Sequence, residues 1–258
     1  MKISKLVFAL LIAYGGTSLA ADNSIYIDQT GDNSTITMTQ DGAGNRVRGI
    51  QGVGSGDTTP ATIKGDAISV TVDQIGSGNV LNLGIDTSTA NGGSPSSIKY
   101  KVTGSNAVAT LNLNNAGAGT NASTNLDVNQ TGDGAIANIN ILGSGNSLTV
   151  DQAGGNNNKI IATVNATALT SVVTQSGGGN ETTLNLTGDK GSVSLTTNGA
   201  LNITNITQSG GGVSGHNATV NISGSSNTLN VTQQGTIDTT VNLTSVGSGN
   251  TFNLTSKN

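Results

Sequence analysis

The chain has no cysteine and no tryptophan, two prolines, five aromatic residues in 258 and charged side chains at only 9 % of positions. Without cysteine there is no disulfide framework, no thiolate metal site and no thiol nucleophile. So few aromatics leave little with which to close a wide globular core. The thin charge includes no basic stripe, so nucleic acid is not an expected partner. The single histidine, His216, lies in a Gly/Ser-rich stretch and reads as a solvated turn residue. Metal sites need several close donors, and no cluster of titratable residues builds a catalytic centre. No catalytic residue, metal site or cofactor is expected, and the chain does not read as an enzyme.

What is abundant is glycine, at 38 residues, together with Asn, Thr and Ser. The apolar residues are mostly Val, Ile, Leu and Ala, spread evenly. Thr, Val and Ile favour strands, whereas Gly and Asn favour turns. Residues 1–20 differ: Lys2 and Lys5 precede the apolar run from Leu6 to Ala13, and Ser18-Leu19-Ala20 forms a small-x-small cleavage site. This is the pattern of a secretory signal peptide, too short in its apolar core to span a bilayer comfortably. Its removal leaves 8 basic and 14 acidic residues, a formal net charge of about −6. No later segment is apolar enough to span as a helix, so residues 21–258 are expected to be secreted, extracellular or attached to the cell surface.

Self-similarity dominates that mature segment. Gln-x-Gly recurs at Gln29/Gly31, Gln40/Gly42, Gln74/Gly76, Gln130/Gly132, Gln152/Gly154, Gln175/Gly177, Gln208/Gly210 and Gln233/Gly235. The intervals between successive glutamines are 11, 34, 56, 22, 23, 33 and 25, all near multiples of eleven. Alternating apolar residues precede most of these glutamines, with Val172/Val173 and Ile203/Ile206 as irregular sites where a bulge or shift would fit. Other strands alternate without glutamine, as in Leu81-Asn-Leu83, Leu111-Asn-Leu113 and Phe252-Asn-Leu254. Gly-rich turns often end in Asn, as at Asn45, Asn79 and Asn180.

An apolar/polar alternation is the period of a half-buried strand. One such strand pair is marginal alone, but stacked pairs close one another's cores. The expected fold is therefore all-β: a β-solenoid of ten or eleven two-strand coils, about 22 residues each, forming two stacked parallel sheets. The recurring glutamines, glycines and asparagines are expected to form a structural ladder, in which each amide bonds the same amide one coil above and below. Residues 52–66 and 86–97 break the pattern, carry both prolines and are expected to loop out of the stack. Asp28, Asp73, Asp127 and Asp151 suggest a charged surface row, acting as a guard against unwanted pairing or as a weak cation site.

The segment Ser34 to Gln51 resembles a curlin repeat: Ser34, Gln40, Gly42, Asn45 and Gln51 stand at that family's spacing, and Asn23, Gln29, Gly31 and Asn33 give a near match before it. The pattern is specific over residues 23–51 and loose beyond, where the second glutamine is replaced by Ile85 or Leu186. The resemblance implies an exported bacterial protein that polymerises into extracellular amyloid fibres of the biofilm matrix and supports adhesion. It implies self-association as the main partnership, with export or nucleator proteins beside it. The alternative kept open by the residues is a monomeric solenoid with a binding face, such as an adhesin or a virion surface component. No capping helix precedes Ile25 or follows Leu254, so unpaired strand edges are expected at both ends.

Overall fold

The computed structural model describes residues 24–42, 44–50, 59–76, 78–88, 96–103, 106–114, 123–131, 135–143, 145–155, 157–166, 169–177, 179–187, 191–199, 201–210, 216–224, 226–235, 239–247 and 249–257. The expected signal peptide over residues 1–20 and Gly132 lie outside the described residues. The first strands are β1 (Ser24–Tyr26), β2 (Asp28–Thr30), β3 (Thr35–Asp41), β4 (Arg46–Arg48), β5 (Ala61–Lys64), β6 (Ser69–Ile75) and β7 (Val80–Asp86). Next come β8 (Ser96–Thr103), β9 (Val108–Asn114), β10 (Thr124–Thr131), β11 (Ile136–Gly143), β12 (Asn146–Gly155), β13 (Lys159–Ala166) and β14 (Leu169–Gly177). The last are β15 (Glu181–Thr187), β16 (Gly191–Asn198), β17 (Thr204–Ser209), β18 (Asn217–Ser223), β19 (Leu229–Gln234), β20 (Thr240–Val246) and β21 (Thr255–Lys257).

The strands divide between a 12-stranded sheet A and a 9-stranded sheet B, which the chain visits alternately, and every pairing is parallel. The protein is a two-sheet β-solenoid. Each circuit is one tier: β1, β2 and β3 make the first, β4, β5 and β6 the second, and β7/β8 through β19/β20 the next seven, while β21 begins a tenth. Tiers are not uniform in length. In-register partners lie 22 residues apart between β10 and β12, but 34 between β3 and β6 and 28 between β6 and β8. Longer tiers leave fewer of them for the same chain length.

Alternation sets which side chains enter. Strand β3 reads exposed–buried throughout, with Ile36, Met38 and Gln40 inward and Thr35, Thr37, Thr39 and Asp41 outward. The core is the seam between the sheets, filled by Val, Ile, Leu and Ala from both. Each fully buried Val, Ile or Leu contributes about 1.5–3 kcal/mol. A one-residue slip would turn every one of them to solvent, so register is strongly specified.

Four irregular sites differ from expectation. Residues 61–64, placed by the sequence reading inside an expelled loop, form β5: they continue the line of β4 and pair with β7. Between Arg48 and Ala61, residues 51–58 lie outside the described residues. On either side of them Gly49 N–H bonds Thr59 C=O at 2.9 Å, and the two Asp28 carboxylate oxygens accept from Ile50 N at 3.2 Å and Thr62 N at 3.1 Å. Of the stretch 86–97, Asp86 closes β7 and Ser96 and Ser97 open β8, while 89–95 lie outside the described residues. The Val172/Val173 site has no bulge of its own: Ser171 and Val173 are inward and Val172 is exposed. The register shift falls instead between Gln152 and Gly155 of β12. Likewise Thr204 and Ile206 face inward and Ile203 outward.

Candidate functional site

The inward position near the end of each sheet-B strand forms a column through the stack. In register it reads Gln40, Gln74, Val102, Gln130, Gln152, Gln175, Thr197, Ile222 and Ser245. Gln74, Gln130, Gln152 and Gln175 are fully buried. Gln74 Nε2 donates to Gln40 Oε1 at 2.7 Å, Gln152 Nε2 to Gln130 Oε1 at 2.7 Å and Gln175 Nε2 to Gln152 Oε1 at 3.1 Å. Each amide also ties its own turn: Gln40, Gln74 and Gln130 donate to the carbonyls of Arg46, Val80 and Ile136 six residues on. A primary amide has two N–H groups, so it can serve the tier below and its own turn together.

Val102 interrupts this column, and Tyr100, two residues earlier on the same inward face, fills the gap. Its hydroxyl donates to Gln74 Oε1 at 2.9 Å and is hydrogen-bonded by the Gln130 side chain. Burial pushes the phenol pKa far above its ordinary value, an effect the Gln130 contact offsets only in part. The polar spine thereby runs from Gln40 to Gln175, where Thr182 Oγ1 donates to Gln175 Oε1.

The other glutamines belong to sheet A. Gln208 Nε2 donates to Gln233 Oε1 at 2.9 Å, a separate two-membered ladder. Gln29 pairs in register with Ile63 and has no amide above it. The expected single glutamine ladder is therefore split: five members lie on sheet B, two on sheet A and Gln29 apart. The glycine two residues after each glutamine has a steric reason where tiers stack. Gly76 has φ 108°, and a Cβ there would run into the carbonyl oxygen of Gly42 one tier below. Gly177 has φ 140°, and its carbonyl oxygen likewise approaches Gly199. Gly31 and Gly235 also have positive φ, Gly210 donates its N–H to Gln234 C=O at 3.1 Å, and Gly154 falls within β12.

A second amide column follows the turn from sheet B into sheet A. Asn79 Nδ2 donates to Asn45 Oδ1 at 3.0 Å. After a gap at Ala107 and Ala135, Asn180 donates to Asn158 at 3.2 Å, Asn202 to Asn180 at 2.9 Å, Asn227 to Asn202, and Asn250 to Asn227 at 2.9 Å. Asn158, Asn202, Asn227, Asn250 and Tyr100 escaped the sequence reading. The signal was present: an asparagine five residues after the sheet-B column position, or six where the β12 bulge intervenes.

Two expectations are corrected. His216 is not solvated: it is 3 % exposed and its Nδ1 has no partner among the described residues. It stands at the corner entering β18, and its ring packs against Gly235, where a Cβ would come within 2.8 Å of His216 Cε1. The aspartates do not form one row. Asp28 is on sheet A and holds backbone, whereas Asp73 and Asp127 stand in register with Lys101 and Lys99, respectively. Among the described residues no cluster of three or more His, Asp or Glu could hold a metal, and no helix is long and apolar enough to cross a membrane.

The geometry offers stacked amides, two continuous parallel sheets, and strands β3 and β20 that pair on one side only among the described residues. Residues 19–42 match the model of the curlin associated repeat. That curlin repeat takes in β1, β2 and β3 with Gln29 and Gln40. No curated protein and no solved structure matches the chain.

Proposed function

We propose that this chain is an exported structural protein that polymerises end to end into extracellular fibres, with a role in surface attachment or a biofilm matrix. The curlin repeat and the solenoid agree with a structural rather than enzymatic role. The observation that carries the reading is strand β20. Its inward residues Val241 and Leu243 continue the core columns of Ala218 and Val220, yet they are only partly covered, and among the described residues the strand's second edge has no partner. At the other end Ile25 and Ile27 are partly covered in the same way. An unpaired parallel edge with a half-open apolar face templates another strand. A head-to-tail contact of this kind does not close on itself and grows into a filament.

Purified residues 21–258, incubated near neutral pH, should give fibres with reflections at about 4.8 Å and about 10 Å. Leu243→Lys, which places a charge in the open end of the core, should slow growth strongly while leaving the soluble fold intact. A wild-type protein that stays monomeric at high concentration overturns the reading.

A further inference from the structure

Both outer faces carry charge in their early tiers, with Asp28, Lys64 and Asp86 on sheet A, and they differ in how far the later stretch runs: four uncharged strands on sheet B, β14 to β20, and six strands on sheet A, β9 to β19, holding one bridged ion pair. On sheet B the outward residues of the first five tiers include Asp41, Asp73, Lys99, Lys101, Asp127 and Asp151. On sheet A, from β9 to β19, the outward residues are Asn, Thr, Ser, Gln and a few aliphatics. Its only charged pair there, Lys159 and Glu181, is bridged at 2.9 Å. The central outward column runs Asn112, Asn140, Thr163, Asn185, Thr207 and Thr232 in unbroken register. Beside it Asn205 Nδ2 donates to Asn230 Oδ1 at 2.7 Å, so some of these amides are already ordered.

We infer that this face of sheet A is the lateral contact between copies of the chain, and that it engages only after copies have stacked. Asn and Thr each donate and accept, so a surface made of them is complementary to a second copy of itself. Short side chains lose little rotamer entropy when covered. Pairing through all of sheet B would bury the Asp and Lys of its first tiers at a desolvation cost, and its uncharged part, four strands from β14 to β20, offers a smaller patch than the six of sheet A. Six strands at about 4.8 Å and about 20 Å of strand length give a patch of roughly 500 Å² per copy. A standard stable interface needs about 800 Å² from each partner. One pair of copies therefore falls short, while two filaments presenting many patches in series hold together by multivalency. Monomers stay apart and filaments bundle.

The inference rests on the fibre reading, and the test separates the two. Asn140→Lys with Asn185→Lys adds two exposed charges on sheet A, and Thr170→Lys with Asn221→Lys adds two on a neutral part of sheet B; all four positions are exposed. None of them lies in the polar spine or at an end of the stack. The sheet-A variant should grow fibres at the wild-type rate by dye fluorescence, but as single filaments, with bundle width in negative stain reduced at least twofold and pelleting at low speed lost. The sheet-B variant should bundle as wild type does. Equal bundling by both variants, equal loss in both, or bundling that appears only when a neutral polysaccharide is added overturns the lateral contact and leaves the fibre reading standing. A wild-type chain that forms no fibres removes both.

Discussion

Tyr100 Oη donates to Gln74 Oε1 at 2.9 Å across one tier boundary, and this bond bridges the only break in the polar spine between Gln40 and Gln175. The tier that carries it is distinct in its outward residues too, since Lys99 and Lys101 stand in register with Asp127 and Asp73. In a stack of near-identical tiers, one unlike tier distinguishes the correct register from its neighbours. Tyr100→Phe keeps the ring and removes the hydroxyl, leaving Gln74 Oε1 without its donor in a dry interior. The expected loss is about 1–3 kcal/mol, measured by urea denaturation of the unassembled chain. A variant as stable as wild type would mean that the spine is not continuous at this tier.

The same phenol sets an alkaline limit. Burial raises the folded-state pKa of Tyr100 well above the ordinary value near 10. Above that pH the unfolded chain loses the proton while the folded chain keeps it, so unfolding is favoured as pH rises. The contribution is fully present below about pH 10 and declines above it. Denaturation midpoints measured across that range should fall for wild type and fall less for Tyr100→Phe. Parallel declines in the two proteins would place the sensitive group elsewhere.

Two inward hydroxyls work against the core. Ser171 Oγ and Thr197 Oγ1 are buried without a hydrogen-bond partner among the described residues, in columns held mostly by aliphatics or glutamine. Ser171→Ala and Thr197→Val remove the stranded oxygen with little change in shape, and each should stabilise by about 1 kcal/mol. Thr197→Gln should do so by another route, extending the amide spine beyond Gln175. Destabilisation by both oxygen-deleting variants would indicate that the hydroxyls are paired in solution.

The eleven-residue beat, the period-2 alternation and the two-sheet solenoid were all legible in the sequence, because stacked tiers repeat the same short-range pattern. Assigning each glutamine to a sheet was not. An odd multiple of eleven should change sheets and an even one should not, and this holds from Gln29 to Gln40 and from Gln175 to Gln208. It fails from Gln40 to Gln74, whose spacing of 34 sits near an odd multiple although both lie in sheet B, because twelve residues separate β4 from β5, which both pair with β7 in one line of sheet A. It fails again from Gln74 to Gln130, where two tiers of 28 residues intervene. Tyr100 was invisible for another reason: its partners are one tier away on either side, and no local pattern marks a side chain that substitutes for the residue two places on. The burial of His216 sets its ring against Gly235, which stands at the end of another strand, and no local pattern marks that contact.

Ala67 has φ 50°, in the left-handed region, at the turn position that Asn33 occupies one tier earlier with φ 56°. Asparagine tolerates that conformation and alanine does not. Ala67→Asn or Ala67→Gly should stabilise the second tier by about 0.5–1 kcal/mol, read as a higher urea midpoint and slower amide exchange in β5 and β6. No gain from either variant would mean that the turn relaxes out of the left-handed region.

Asn202 stands in the middle of the second column, with amides on both sides. It is fully buried, and its Nδ2 donates to Asn180 Oδ1 at 2.9 Å and to Gly199 C=O at 3.2 Å while its Oδ1 accepts from Asn227. Asn202→Ala strands an acceptor below and a donor above, and should cost about 3 kcal/mol. Asn202→Asp should cost more at neutral pH, since it buries a charge and sets two acceptors, its own and that of Asn180, against each other. Acidification should then separate the variants: protonation returns one O–H donor to the aspartic acid and restores part of the bond to Asn180, whereas alanine has nothing to protonate. An Asn202→Asp chain whose deficit does not shrink at low pH would show that the column depends on shape rather than on donor and acceptor order.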